Sequence, residues 1–330
     1  MPCRGRAVER TLGAALLAVS ISGALGCDAS PPPRASSAAR PPSGFDGDRA
    51  FADLADLVAL GPRPAGSAAA AAARTLIAER LRQVGWRVER RPFQVRGPGG
   101  RAVPMVNLVA RLEGAVAAEP GRGKAAPPRL LLLTHYDTKR IPGIRFVGAN
   151  DGASGVALLL ELARQLSRRP PPFEVWMLFC DGEEAFGADI TASDGLYGSR
   201  ELARSLAEQG ELDRVQALLL IDMVGDRDLN LATDRGSSRV LREQLLAAAR
   251  ALGLEGVIDP RETVALVDDH TPFVERGVSP VLALIDFQFG SRSTPGPYWH
   301  TARDDLDSVS AESLNSVGAL VVEWIERLGR

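Results

Sequence analysis

Four stretches of this chain are apolar almost without interruption: "RLLLLTHYD" (129–137), "FEVWMLFCD" (173–181), "QALLLIDMVG" (216–225) and "VSPVLALID" (278–286). A strand with one wet face alternates apolar and polar residues; a strand that is apolar throughout is buried on both faces. Amphipathic stretches separate these runs and read as helices: "GASGVALLLELARQLSR" (152–168), 198–209 and 236–252, with a last helix over 311–328. Asp151 stands where the first of these would take its N-cap. Such alternation specifies an α/β fold: a mixed, mainly parallel central sheet with helices on both faces. Upstream, 49–60 and 67–84 read as helices, with Gly85 closing the second. "WRVERRPFQV" and "MVNLVARLEG" alternate like an antiparallel strand pair, and 115–128 reads as a loop. With no internal repeat, residues 45–330 are expected to form one domain.

The net charge is −2, so no overall field draws the chain to nucleic acid or to an anionic membrane. Three cysteines, Cys3, Cys27 and Cys180, make neither a disulfide framework nor a thiolate metal site. Cys180, inside an apolar strand, reads as inert core. Residues 1–27 place Arg4, Arg6 and Arg10 before a short apolar run, the layout of a signal peptide. The run ends in "ALGC", which resembles a bacterial lipobox, in which Cys27 would be lipidated; a plain secretory signal is the alternative. Residues 28–44, rich in Pro, Ser and Ala, form a linker. The expectation is an exported, monomeric protein, periplasmic or held to a membrane only by a lipid at Cys27.

In open α/β sheets, ligands bind beyond the carboxyl ends of the strands. Here those ends carry acids and every histidine of the chain. The first exit has His135 and Asp137, and Asp151 follows in the next loop. The second has Asp181, Glu183 and Glu184, and the third Asp222. Asp268, Asp269 and His270 precede the helix start "TPFVERG", and His300 follows the last strand. A lone aspartate at a strand exit is ordinarily a cap or turn former. Three histidines beside acids along one sheet edge are more than that. Imidazole nitrogen and carboxylate oxygen without thiolate suit Zn²⁺ in a catalytic site with an open position, and other divalent ions accept the same donors. A cation also resolves the repulsion among so many close acids. Ser154 in "DGASG" lacks the G-x-S-x-G context of a nucleophile elbow, and "GASG" and "VRGPGG" are too short and misplaced for a phosphate loop.

"THYD", "VGANDGASGVALLLELAR", "FCDGEEAFG", "LIDMVGD", "DDHTPF" and "YWHT" resemble, in order and spacing, the zinc aminopeptidase-like M28 superfamily over about residues 50–330. The resemblance implies the zinc aminopeptidase (phosphorylase/hydrolase-like) fold. It also implies one of two activities. The first is the animal-type glutaminyl-peptide cyclotransferase, a one-zinc enzyme that turns N-terminal Gln of peptides and proteins into pyroglutamate. The second is a two-zinc aminopeptidase. "DGEEAF" followed by "LYGSR", Asp268 ahead of the Asp-His pair, and Trp299 ahead of His300 are cyclase-like.

By that resemblance Asp151, Glu184 and His300 would hold zinc and Glu183 would shuttle the proton. Asp222 and Asp268 would join Glu183 in a hydrogen-bonded acid network, and Trp299 and His270 would contact substrate. In the peptidase, His135 and Asp222 would hold a second ion bridged by Asp151. A zinc-binding module without turnover is the third alternative. Animal cyclases carry a tryptophan shortly after the glutamate pair and often a disulfide near the first motif; "GADITASDG" has no tryptophan, and no cysteine is placed for the disulfide.

Overall fold

A computed structural model describes residues 44–115 and 127–330. The signal sequence, Cys27 and all of the linker but Gly44 lie outside the described residues. Eight strands form one sheet in the order β1 (Arg87–Arg96), β2 (Ala102–Leu112), β4 (Glu174–Cys180), β3 (Arg129–His135), β5 (Val215–Asp222), β8 (Val281–Ile285), β6 (Leu231–Asp234) and β7 (Ile258–Val264). The central four, β4, β3, β5 and β8, run parallel. β1 and β2 extend one side antiparallel; on the other, β6 pairs antiparallel to β8 and parallel to β7.

The unbroken apolar runs have a direct cause. Successive side chains of a strand point to opposite faces, and both faces are covered. Leu130, Leu132, Met177, Phe179, Leu219, Ile221, Leu282 and Leu284 enter one core with residues of α1 (Gly47–Ala59), α2 (Ala68–Gln83), α3 (Ala153–Arg168), α5 (Arg239–Leu252) and α7 (Ala311–Leu328). Leu131, Leu133, Trp176, Leu178, Leu218, Leu220 and Ala283 enter the other, with residues of α4 (Tyr197–Glu208) and Phe273 of α6 (Thr271–Glu275). Cys180 is fully buried in that second core, as expected. No helix of the described residues is long and apolar enough to cross a membrane.

The strands and helices expected from sequence stand within a few residues of their places. Two strands do not announce themselves: β6 is four residues long, and β7 contains Pro260 and charged residues. α5 starts at Arg239 rather than 236, because Asp234 accepts hydrogen bonds from the N–H groups of Gly236 (2.7 Å) and Leu266 (2.9 Å) and holds a turn there. The start of α3 is pressed onto the sheet. A β-carbon on Gly155 would stand 2.2 Å from Thr134 Oγ1 and 2.8 Å from the Ile221 carbonyl oxygen. That contact brings the loop before α3 to the carboxyl ends of β3 and β5.

Candidate active site

The strand ends converge as the topology requires. His135 ends β3, and its Nε2 lies 3.2 Å from Asp151 Oδ1 and 3.3 Å from Asp222 Oδ1, at the end of β5. Asp151 turns its other oxygen the opposite way, 3.3 Å from His300 Nε2. His300 Nε2 is also 3.3 Å from Glu184 Oε1. Two ligand-competent groups result, His135–Asp151–Asp222 and Asp151–Glu184–His300, each with its donor atoms within 4.8 Å of one another. Asp151 belongs to both.

This geometry corrects one local expectation. Asp151 does not cap α3: the capping position is Gly152, at φ 90°, with no side-chain cap. The Asp151 carboxylate is drawn instead to the two imidazoles, while Gly152 supplies a backbone turn other residues resist. A β-carbon there would also meet the Asp137 carbonyl oxygen at 2.7 Å. Met223 (φ 49°) and His300 (φ 56°) adopt left-handed backbone without being glycine. Such conformations cost of order 1–3 kcal/mol and gather at functional sites.

Two buried aspartates act on the backbone beneath the ligands. Asp137 accepts from the N–H groups of Glu183 (3.1 Å) and Glu184 (3.4 Å), with its Oδ1 3.6 Å from His135 Nδ1. Asp304 accepts from the N–H groups of Asn150 (2.6 Å) and Asp151 (3.1 Å). Lys139, also buried, donates to the Ala185 carbonyl oxygen (3.1 Å) and lies 3.5 Å from Glu184 Oε2. Neither Asp304 nor Lys139 carries a pattern in the sequence that marks it. Their proximity to the motifs, four residues after His300 and four after His135, is the only available signal.

Asp151, Glu184, Asp222 and His300 of these groups line a cavity together with Glu183, Asp268, Met223, Phe287 and Trp299. The Trp299 ring stacks on His300 at 3.9 Å between centroids, and Phe287 meets Trp299 edge-on at 5.2 Å. Asp151, Glu183, Glu184, Asp222, Asp268, Trp299 and His300 are thus brought together on one cavity, with His135 beneath them. His270 is not. Its Nε2 lies 3.7 Å from Asp234 Oδ2, on β6, and it lines no part of the cavity. The acid network also differs from expectation. Asp222 pairs with His135, and among the described residues no hydrogen bond joins Glu183 to Asp222 or Asp268.

The site is electrostatically loaded. Burial pushes the Glu183 carboxyl well above the usual range, and Glu184, Asp268 and Asp269 add to this against the opposing His135. Burial, then Asp222, raises Asp268 to about 6. Burial works against charge on His300, but Asp151 and Glu184 outweigh it and lift its pKa to about 9. A divalent cation relieves this crowding of carboxyls. The residues fit one. Glu184 Oε1 is buried and, apart from the His300 Nε2 contact, accepts no hydrogen bond among the described residues, and Asp151, Glu184 and His300 present two oxygens and one nitrogen beside an open cavity, the donor set of a catalytic zinc site.

A parallel-cored α/β sheet with histidines and carboxylates gathered at its strand ends defines the zinc-exopeptidase-like class. Residues 107–325 match the model of Peptidase family M28, and the chain belongs to that family. It is 29% identical over 285 residues to a glutaminyl-peptide cyclotransferase of Drosophila melanogaster, covering 79% of this chain and 75% of that protein. The crystal structure of an Acidobacteriales bacterium glutaminyl cyclase superposes with a TM-score of 0.78 at 36% identity, covering 91% of this chain and 99% of that one. A Zn-dependent exopeptidase from Parabacteroides distasonis superposes with a TM-score of 0.73 at 26% identity, covering 86% of this chain and 98% of that one.

Proposed function

We propose that this protein is a metal-dependent glutaminyl-peptide cyclotransferase, converting N-terminal Gln to pyroglutamate with release of ammonia. One observation carries the reading beyond the relatives' activity. Glu183 lines the cavity beside Asp151, Glu184 and His300, and its carboxylate makes no hydrogen bond or ion pair with the described residues. It is the one acid of the "EE" pair left unengaged.

In the reaction the α-amine attacks the side-chain amide carbon of the same residue, a C–N bond forms and the bond to the amide nitrogen breaks. The ring is five-membered, so holding the glutamine folded supplies most of the proximity. Trp299, braced by Phe287 and His300, gives the cavity a flat apolar wall for that folded side chain. Glu183 takes the proton that the amine loses and returns it to the departing ammonia. Asp137 fixes the turn from which Glu183 projects. Asp151, Glu184 and His300 would hold the zinc ion, which when bound polarises the amide oxygen.

General acid–base help is worth ~10²–10⁴-fold, so Glu183→Gln is expected to lose at least about 10²-fold in kcat while keeping its zinc, and Glu184→Gln to lose zinc. Near-normal ammonia release by Glu183→Gln sinks the assignment. The complete His135–Asp151–Asp222 group favours a second reading, a two-zinc aminopeptidase. Two ions per chain together with release of free N-terminal amino acids would establish that reading instead.

We further propose that residues 1–27 export the chain and that Cys27 carries a lipid, which the Arg-flanked apolar run and "ALGC" support. Labelled palmitate is expected in the native protein and absent from Cys27→Ala; label retained by the variant excludes the anchor.

A further inference from the structure

The floor of the cavity holds the reacting groups, but the same cavity is also lined by Ile190, Leu266 and Val267, which the chemistry leaves unused. Val267 is 61% exposed, the most exposed large apolar side chain among the described residues. A single exposed valine needs no explanation. This one shares a cavity wall with Leu266 and Ile190, which come from before α6 and from the loop after the glutamate pair.

That loop is preformed. Asp194 accepts from the N–H groups of Phe186 and Gly187, both at 2.8 Å, and from the Tyr197 hydroxyl at 2.7 Å. The N–H groups of Leu196 and Tyr197 donate to the carbonyl oxygens of Glu183 and Gly182, each at 2.8 Å. Ile190 lies over Gly195, where a β-carbon would come within 2.9 Å of its Cγ1. The loop has no tryptophan; it presents an isoleucine instead.

The charge around this rim is one-sided. Asp151, Glu183, Glu184, Asp189, Asp222 and Asp268 line the cavity against Lys139 and His300. Lys139 is already engaged by Glu184 and the Ala185 carbonyl oxygen. A divalent ion offsets two of these acids, and Asp189 stays exposed at the rim.

We propose that Ile190, Leu266 and Val267 select the residue that follows the N-terminal glutamine, binding apolar side chains and disfavouring acidic ones. The proposal rests on the cyclase reading. With the glutamine side chain inside, toward Glu183, the next residue lies at the mouth. There an apolar side chain covers Val267. An acidic one meets like charge, and among the described residues lining the cavity no cation is free to pair with it.

The test is kcat/KM of the zinc-loaded full chain for the amides of Gln-Leu, Gln-Gly and Gln-Glu. Gln-Leu is expected to exceed Gln-Gly by about fivefold, for partial burial of one leucine side chain, and Gln-Glu to fall below Gln-Gly. Val267→Ser should bring the Leu-to-Gly ratio toward one, and Val267→Lys should raise the Glu-to-Gly ratio; the exposure of Val267 makes both tolerable to the fold. Equal native values for Leu and Gly, or ratios unmoved in both variants, overturn the rim while ammonia from Gln-Gly leaves the cyclase reading standing. No ammonia from any of the three peptides overturns both.

Discussion

Asp304 lines no part of the cavity, and both its oxygens are occupied by the N–H groups of Asn150 and Asp151. Its effect on the site runs through the main chain. It ties the loop bearing Asp151 to the loop bearing His300, so two of the three ligands of one group share a single buried bracket. Asn in its place keeps one acceptor and turns a donor toward an N–H. Partners that orient metal ligands are typically worth 10–100-fold in affinity. Asp304→Asn is therefore expected to weaken zinc binding by about 10–100-fold in chelator competition, with far-UV circular dichroism unchanged. Native-like affinity in a folded variant would show that the bracket does not position Asp151. No reading of residue types finds this role, because a carboxylate bonding to backbone N–H groups leaves no side-chain partner in the sequence. The ligand-competent residues are legible, since histidines and acids at strand exits form a pattern.

Among the elements, the same contrast has a physical origin. β3, β4, β5 and β8 are legible because burial on both faces makes every position apolar. β6 has only four residues and β7 is an edge strand, so neither carries a run long enough to read. One hidden element explains one misplaced residue. His270 stands next to Asp268 and Asp269, at what looks like the site, but Asp234 on β6 draws its ring away. Without β6 in view, nothing in the sequence supplies that partner. The start of α3 shows the opposite case: "GASG" reads as a helix start, and the structure adds why Gly155 must be small against Thr134.

For the molecule as a whole, the buried carboxyls outside the site set how stability follows pH. Asp286 directly follows β8, and burial, with Asp226 adding, pushes its pKa up to about 7 from 3.8. Its oxygens accept from the N–H groups of Asn230 (2.7 Å) and Gln288 (3.0 Å). Above about pH 4 the unfolded chain gives up this proton while the folded one keeps it until about pH 7. The folded state thus binds more protons in that window, and stability attributable to Asp286 falls as pH rises through it. Asp286→Asn removes the titration. Its unfolding free energy relative to the native protein should rise between pH 4 and 7, by an amount on the order of a few kcal/mol at most, and level off above pH 8. Parallel denaturation curves at every pH would refute the shift.

Asp137 and Asp304 grip main-chain N–H groups of the loops, not the side chains of Glu183, Glu184 or His300; the one ligand-competent side chain beside them is His135, whose Nδ1 is 3.6 Å from Asp137. The shape of the loops is therefore separable from the chemistry mounted on them. Side chains at 183, 184 or 300 can change over generations while the socket beneath them persists. A lineage built this way can exchange one activity for another, or fall silent, without having to reinvent its architecture. Peptidases and cyclases sharing one scaffold are what such a construction yields.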